Sequence, residues 1–293
     1  MAEAALARFV PVPPAGCTVR RMPTDHPVVA NLGTVWHSID GLLGGLSEKD
    51  WDRPTDCPGW TVKDQVSHLI GTESALLGRS APPPVSEPAP HVKNPMGQLN
   101  EAWVEVRRAR SPAEVMAEFR EVTTARLAAL RSMTDDEMAA ITSGPTGQVP
   151  YEEFMRVRVM DNWVHEQDIR RAVGRPGDLD GPVAEASLAR FASALPFVIG
   201  KRAGAPEGAT VVLELTGPPG EQTVAASIVE GRGRLVDSRV DDADVRLRMT
   251  PETYARLSCG RLIPSDALAG GQVSVDGDRT LGERVLAGMP IMP

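Results

Sequence analysis

The stretch Tyr151–Val173, YEEFMRVRVMDNWVHEQDIRRAV, decides how the rest of the chain is read. It is long enough for about six helical turns at about 3.6 residues per turn. Pro150 stands before it, where a missing N–H has no intrahelical partner to lose. Gly174 follows, a residue suited to a left-handed stop. Phe154, Arg158, Asp161, His165, Asp168 and Ala172 recur at spacings of three and four, so a helix lines them up in one stripe. Met155, Val157, Val159, Met160, Trp163, Val164 and Ile169 lie on several other faces. Apolar groups on several sides predict a helix inside a bundle, where each ionisable group must be paired or bound. Asp161 and His165, four apart, can aim a carboxylate and an imidazole at one point, as two metal ligands on one rigid element. The same spacing fits Arg158 paired with Asp161 while His165 bonds a carbonyl. On this helix alone both readings stand.

Composition bounds the rest. A chain of 293 residues, 42% hydrophobic and 24% charged, predicts two soluble domains. A formal net charge of −8 argues against a general nucleic-acid or anionic-membrane partner. The pI of about 5.3 points the same way. No uninterrupted apolar run of about 18 residues stands out, so no spanning helix is expected. The segment MAEAALARFVPVPPAG, residues 1–16, lacks the basic start and long apolar run of a signal peptide. Cys17, Cys57 and Cys259 are scattered and odd in number, which predicts no disulfide framework and a reducing cytoplasm.

In chain order, residues 1–25 read as an extended arm. Residues 27–46 place most of their apolar side chains at helical spacing. In residues 50–78, Thr61 is an N-cap with Asp64 as the acidic partner of a capping box. Val62, Val66, Leu69, Ile70, Leu76 and Leu77 make the apolar face of the helix that follows. His68 sits off the centre of that face and alone reads as a surface or capped histidine. Glu73 sits near its centre, where a salt bridge at a bundle edge would account for it. The Pro-rich residues 81–97 form a loop that could border a site. Residues 98–110 and 112–132 read as two helical stretches or one broken helix, with Arg107, Arg108 and Arg110 on a solvated face. Residues 142–150 are a turn-rich connection, and no strand is expected between 28 and 173. After a punctuated linker and a further helix at 183–200, the period changes to two from about Ala205. Strands are expected at 210–216, 223–229, 233–236, 244–249 and 272–276. Short helices follow the fourth and fifth of these strands, the first capped by Thr250. The predicted domains are thus 26–204, helical, and 205–293, α+β.

Two stretches, CPGWTVKDQVSHL (Cys57–Leu69) and RVRVMDNWVHEQDIRRAVGRPG (Arg156–Gly177), resemble the mycothiol-dependent maleylpyruvate isomerase family. LRMTPETYARLSCGR (Leu247–Arg261) and VSVDGDRTLGERVLAGM (Val273–Met289) resemble that family's second domain. The resemblance covers nearly everything after residue 25. It implies a two-domain α+β protein: a DinB-like four-helix bundle followed by a small sterol-carrier-like domain. It also implies a divalent metal, often zinc, held by a histidine on the second long helix and an acid-x-x-x-histidine pair on a later one. Carried over residue by residue, these ligands are His68, Asp161 and His165. Maleylpyruvate isomerase itself has glutamate at the acid position, and Asp161 is one methylene shorter.

Three nitrogen and oxygen ligands with an open fourth position are the usual catalytic arrangement for zinc, whereas structural sites are closed by four. The resemblance therefore implies an isomerase or S-transferase that activates mycothiol for attack on a small-molecule electrophile. Arg158 and Asp168 on the same stripe are candidates to bind the cosubstrate or an acidic substrate, or else form structural ion pairs. Cys57 fits a tight turn leading into the second long helix better than a nucleophile. Two rivals stand beside the enzyme: a metal- or small-molecule-binding protein without turnover, and a regulatory interaction protein. An open metal position with an adjoining cleft separates the first reading from the others.

Overall fold

The computed structural model describes residues 26–87, 89–144 and 147–291. The expected N-terminal arm lies outside them. By internal packing the chain divides into two units, residues 1–176 and 177–293.

The first unit is built on four long helices: α1 (Pro27–Gly44), α3 (Val62–Leu76), α5 (Pro112–Arg131) and α7 (Tyr151–Val173). Each packs on two of the others, so α1, α5, α3 and α7 close a ring around one core. Leu32, Ile39, Val66, Leu69, Phe119, Val122, Met155 and Val159 fill it. Short α2 (Glu48–Trp51) precedes α3. Helix α4 (Pro95–Arg108) is separate from α5 and lies outside the ring against α3. The approach is close: a Cβ at Gly71 would stand 2.4 Å from the Cβ of Trp103. The capping box at Thr61 and Asp64 forms as expected, Thr61 N donating to Asp64 Oδ2 at 2.9 Å. Helix α7 runs over the residues predicted for it and stops at Gly174 with φ 66°.

One expectation for this unit is corrected. Residues 141–150 contain a hairpin, β1 (Ile141–Gly144) and β2 (Gly147–Pro150), preceded by short α6 (Asp135–Ala139). Thr142 pairs with Val149, and Tyr151 N donates to Ala140 O at 2.9 Å, closing the hairpin on the start of α7. The strands are four residues each, too short for an alternation to stand out beside the glycines and prolines that flank them.

The second unit holds a five-stranded sheet in the order β5-β4-β3-β6-β7. Its strands are β3 (Thr210–Leu215), β4 (Gln222–Val229), β5 (Arg232–Val236), β6 (Val245–Met249) and β7 (Val273–Gly277). Only β3 and β6 are parallel; the other neighbours are antiparallel. The unit also contains helix α8 (Gly181–Ala192), a helical turn α9 (Leu195–Phe197) and a wider turn over Val198–Arg202. Three further helices are α10 (Pro251–Ser258), α11 (Pro264–Ala269) and α12 (Arg279–Gly288). Thr250 caps α10 through Thr253 N, as its position predicts.

The boundary differs from the sequence expectation of 204/205, falling at 176/177. The change of period marks where strands begin, but α8 packs against α10, with the Phe191 and Tyr254 rings 6.3 Å apart. A second difference concerns Gly181–Arg202. This 22-residue helical run contains an 18-residue window apolar enough for a membrane span by length and composition. Half of it is buried inside the unit, with Leu188, Phe191, Leu195 and Ile199 fully covered, as in a core helix.

Candidate metal centre

Helices α3 and α7 are neighbours in the ring, and their facing positions carry His68, Asp161 and His165. One ligand atom from each falls within 4.8 Å of the other two. His68 Nε2 is 3.3 Å from Asp161 Oδ2, and His165 Nε2 is 3.6 Å from Asp161 Oδ1. Zinc bonds of about 2.0–2.2 Å in a tetrahedron set ligand atoms roughly 3.3–3.6 Å apart. Each imidazole nitrogen faces a different oxygen of the one carboxylate, and a two-imidazole, one-carboxylate donor set gathered within 4.8 Å fits a divalent ion. Both histidines are 5% exposed. Among the described residues no fourth acid, histidine or cysteine completes the cluster.

The ring of His165 is oriented by a chain of hydrogen bonds. Its Nδ1–H donates to Gln65 Oε1, which leaves Nε2 as the lone-pair atom on the side of Asp161. Gln65 is in turn held in one orientation, because its Nε2 donates to Thr55 Oγ1 at 2.6 Å. The Thr55 hydroxyl donates to Trp60 O at 2.9 Å. The turn that makes this possible is Cys57–Trp60. Trp60 N donates to Cys57 O at 3.1 Å, and Gly59 takes φ 77°, a left-handed value where a side chain is strained. Cys57 thus supports the turn before α3.

Trp60 closes one side of the cluster. Its ring centroid is 5.2 Å from that of His68 and 6.0 Å from that of His165. Trp60 Nε1 donates to Glu101 Oε2 at 3.0 Å, so α4 holds the indole in place. Glu101 is buried and also meets His91 Nε2 at 3.2 Å and Arg108 Nη2 at 2.6 Å. Burial opposes its ionisation, but the hydrogen bonds from Trp60, His91 and Arg108 carry it below the ordinary carboxylate value. His91 thereby joins the Pro-rich loop to the wall of the site. The solvated arginine face expected here is corrected in part: Arg110 is exposed, but Arg107 is buried against Glu118, and Arg108 serves Glu101 and Asp64.

The electrostatics favour ligand-competent forms. Burial pushes the His68 imidazole down to about 4, against the opposing pull of Asp161, so it is neutral near pH 7. Asp161 is half-buried, and desolvation alone would raise it, yet Arg158 and the two histidines hold it well below the usual carboxylate range. Arg158 Nη1 donates to Asp161 Oδ2 at 2.5 Å. On its other side Arg158 donates through Nε to Glu73 Oε1 at 2.9 Å. Glu73, expected at a bundle edge, is fully buried; Arg126 Nε donates to its Oε2 at 3.1 Å.

The sequence therefore points to residues that the fold brings together, and both readings of the Asp161 spacing are realised in part: Arg158 does pair with Asp161, and His165 bonds a side-chain carbonyl. Arg158 and Asp168, candidates to touch a cosubstrate or to form structural ion pairs, are both engaged with protein. Arg158 is 4% exposed between Glu73 and Asp161. Asp168 is fully buried, accepts from Arg171 Nη2 and stands 3.9 Å from His165 Nδ1. Gln65, Trp60, Glu101 and Arg126 were not legible as site residues; the one local signal was the position of Trp60 directly before the Thr61 cap.

Comparison with known proteins agrees with this architecture. Residues 32–170 match the family model described as the mycothiol maleylpyruvate isomerase N-terminal domain, and residues 185–284 match the corresponding C-terminal domain. Two solved structures of mycothiol-dependent maleylpyruvate isomerase, one of them a histidine-to-alanine mutant, align with TM-scores of 0.52 and 0.53. Each is 18% identical and covers 85% of this chain and 91% of its own, which shows a shared fold. The uncharacterized protein Rv0036c of Mycobacterium tuberculosis is 30% identical over 161 residues, 52% of this chain. The chain spans 59% of that relative's length. A second uncharacterized protein of the same organism, Rv0738, is 28% identical over 148 residues, 50% of this chain and 68% of its own length. With both domain models matched in order and the bundle-then-sheet fold in common, the chain belongs to the mycothiol-dependent maleylpyruvate isomerase family.

Proposed function

We propose that this protein is a metal-dependent enzyme that uses mycothiol as a thiol cosubstrate, acting as an isomerase or S-transferase on a small electrophile. The observation that carries the reading is the convergence of one ligand atom each from His68, Asp161 and His165 within 4.8 Å, with no fourth acid, histidine or cysteine in the cluster among the described residues. A divalent ion such as zinc, when held there, supplies the Lewis acidity that favours thiolate over thiol near neutral pH. The chain's own part is orientation and electrostatics. Gln65 keeps the His165 proton on Nδ1, and burial keeps His68 neutral. Arg158 keeps Asp161 ionised, and the Trp60 indole shields one side of the cluster from water. A thiolate that adds to the electrophile and later leaves gives isomerisation; one that stays gives S-transfer. The proposed setting is a reducing cytoplasm, where mycothiol remains a thiol. Nucleic acid and membrane are not among the proposed partners, in keeping with the acidic net charge of −8.

The test is thiol consumption by purified protein against a panel of electrophiles, before and after metal removal. Metal-free protein should keep its helical circular dichroism and lose mycothiol-dependent turnover. Turnover that persists after complete metal removal refutes the reading. A metal-bound structure whose fourth position is closed by a protein side chain would favour a binding protein instead.

A further inference from the structure

Three buried charged side chains and one half-buried one cross the bundle: Arg126 on α5, Glu73 on α3 and Arg158 on α7, ending at the half-buried Asp161 on α7. Their signs alternate and their charges sum to zero. Arg126 is anchored at the outer end, Nη2 donating to the Tyr151 hydroxyl and lying 3.2 Å from Met155 Sδ. The inner end is the carboxylate of the metal centre. One of its oxygens, Oδ2, already accepts a charge-assisted hydrogen bond from Arg158. Structural ion pairs do not need this arrangement: Glu73 and Arg126 alone would neutralise each other, and Asp161 alone would serve an ion.

Resting on the metal reading above, we propose that Glu73 and Arg158 are positioning residues that tune the ion toward sulfur. Arg158 donates to Oδ2, the oxygen that also lies 3.3 Å from His68 Nε2, and so competes with an ion for that oxygen while Oδ1 stays beside His165. Because Arg158 also neutralises Asp161, an incoming divalent ion retains nearly its whole charge. In a low-dielectric site an uncompensated dication selects an anionic ligand, a thiolate, over water or a neutral donor. Glu73 sets the strength of this effect. It shares the Arg158 guanidinium, accepting from Nε at 2.9 Å, so that the arginine's charge is not spent on Asp161 alone. The thiol's proton is released to solvent when sulfur binds.

The two residues should therefore act with opposite signs. Metal-free full-length protein is titrated with Zn2+ against a competing chelator. The Co2+-loaded protein is then titrated with 2-mercaptoethanol, read by cobalt–sulfur absorption and by proton release. Arg158→Met frees both Asp161 oxygens and should bind Zn2+ about tenfold more tightly and the thiol about tenfold more weakly, the scale expected for removing one charge beside the ion. Glu73→Gln keeps the shape but leaves Arg158 leaning on Asp161. It should bind Zn2+ about tenfold more weakly and the thiol more tightly. A purely structural role would weaken both ligands in both variants, and that result, or no change in folded variants, overturns the inference. Should Arg158→Met fail to fold, Glu73→Gln decides: weaker Zn2+ with tighter thiol supports the inference, and any other combination overturns it. Wild-type protein that takes up no Zn2+ overturns the metal reading itself, and this inference with it.

Discussion

Acidification of the metal-free protein should cost the bundle stability through one identifiable group. The His68 imidazole has a folded value near 4 against an ordinary 6.5, chiefly because burial disfavours its charged form. Between those values the unfolded chain binds a proton at this position and the folded chain does not. Stability is therefore fully present above about 6.5 and is lost as the pH falls toward 4. A difference of about 2.5 pH units corresponds to roughly 3 kcal/mol at the lower end of the window. Asp161 does not confuse the measurement: its ordinary value is 3.8 and its folded value lies lower, so it acts below the window. The assay is urea unfolding at several pH values from 7.5 to about 4, followed by tryptophan fluorescence. All five tryptophans, Trp36, Trp51, Trp60, Trp103 and Trp163, lie in the first unit, so the signal reports that unit alone. The comparison is His68→Asn, which cannot titrate there. Wild type should lose roughly 3 kcal/mol more than the variant across the window. Parallel pH dependences in the two proteins would refute the assignment of His68 as a buried neutral imidazole.

Other outcomes follow from the same geometry. Elemental analysis should find about one divalent ion per chain, as expected for one three-ligand site, with most of it lost in His165→Ala; full occupancy in both His68→Ala and His165→Ala would sink the ligand assignment. Asp161→Glu should retain the ion and Asp161→Ala should bind it more weakly, measured by chelator competition. Gln65→Leu should fold yet lose roughly 10–100-fold in metal affinity, because nothing then fixes the His165 tautomer; unchanged affinity would show that the short Gln65 contact does not orient the ring. A protein ending at Pro176 should remain helical and take up metal, checked by circular dichroism and metal analysis, since the ligands and their supports all precede that point.

The long helices were legible because each carries a strong period and a local stop or start. Pro112 after Ser111, the Thr61–Asp64 box and Gly174 each mark a boundary that the structure keeps within a few residues. The β1–β2 hairpin and short α6 were not, since four or five residues give too few repeats to separate a period from chance. Asp161 and His165 were visible as a pair because one helix sets their spacing. His68 could be joined to them only through the family resemblance, because it approaches from a different helix. Glu73 shows the opposite limit: its place on an apolar face was plain, but its two arginine partners lie 53 and 85 residues away, beyond any local pattern.

The distance along the chain between the cluster's members also fixes when the site can exist. His68 and Asp161 are 93 residues apart, and between them lie α4, α5 and the hairpin. An unfolded or half-folded chain offers an ion only Asp161 and His165, a weak two-point hold. A metal therefore cannot nucleate this bundle as it nucleates a zinc finger. The apolar helix faces have to meet first, and they bring together three donors whose spacing is then already set. On the metal reading proposed above, choice among divalent ions is exercised by a finished receptor. The ion that first meets the emerging chain has no lasting advantage over the one that best fits the closed ring of helices.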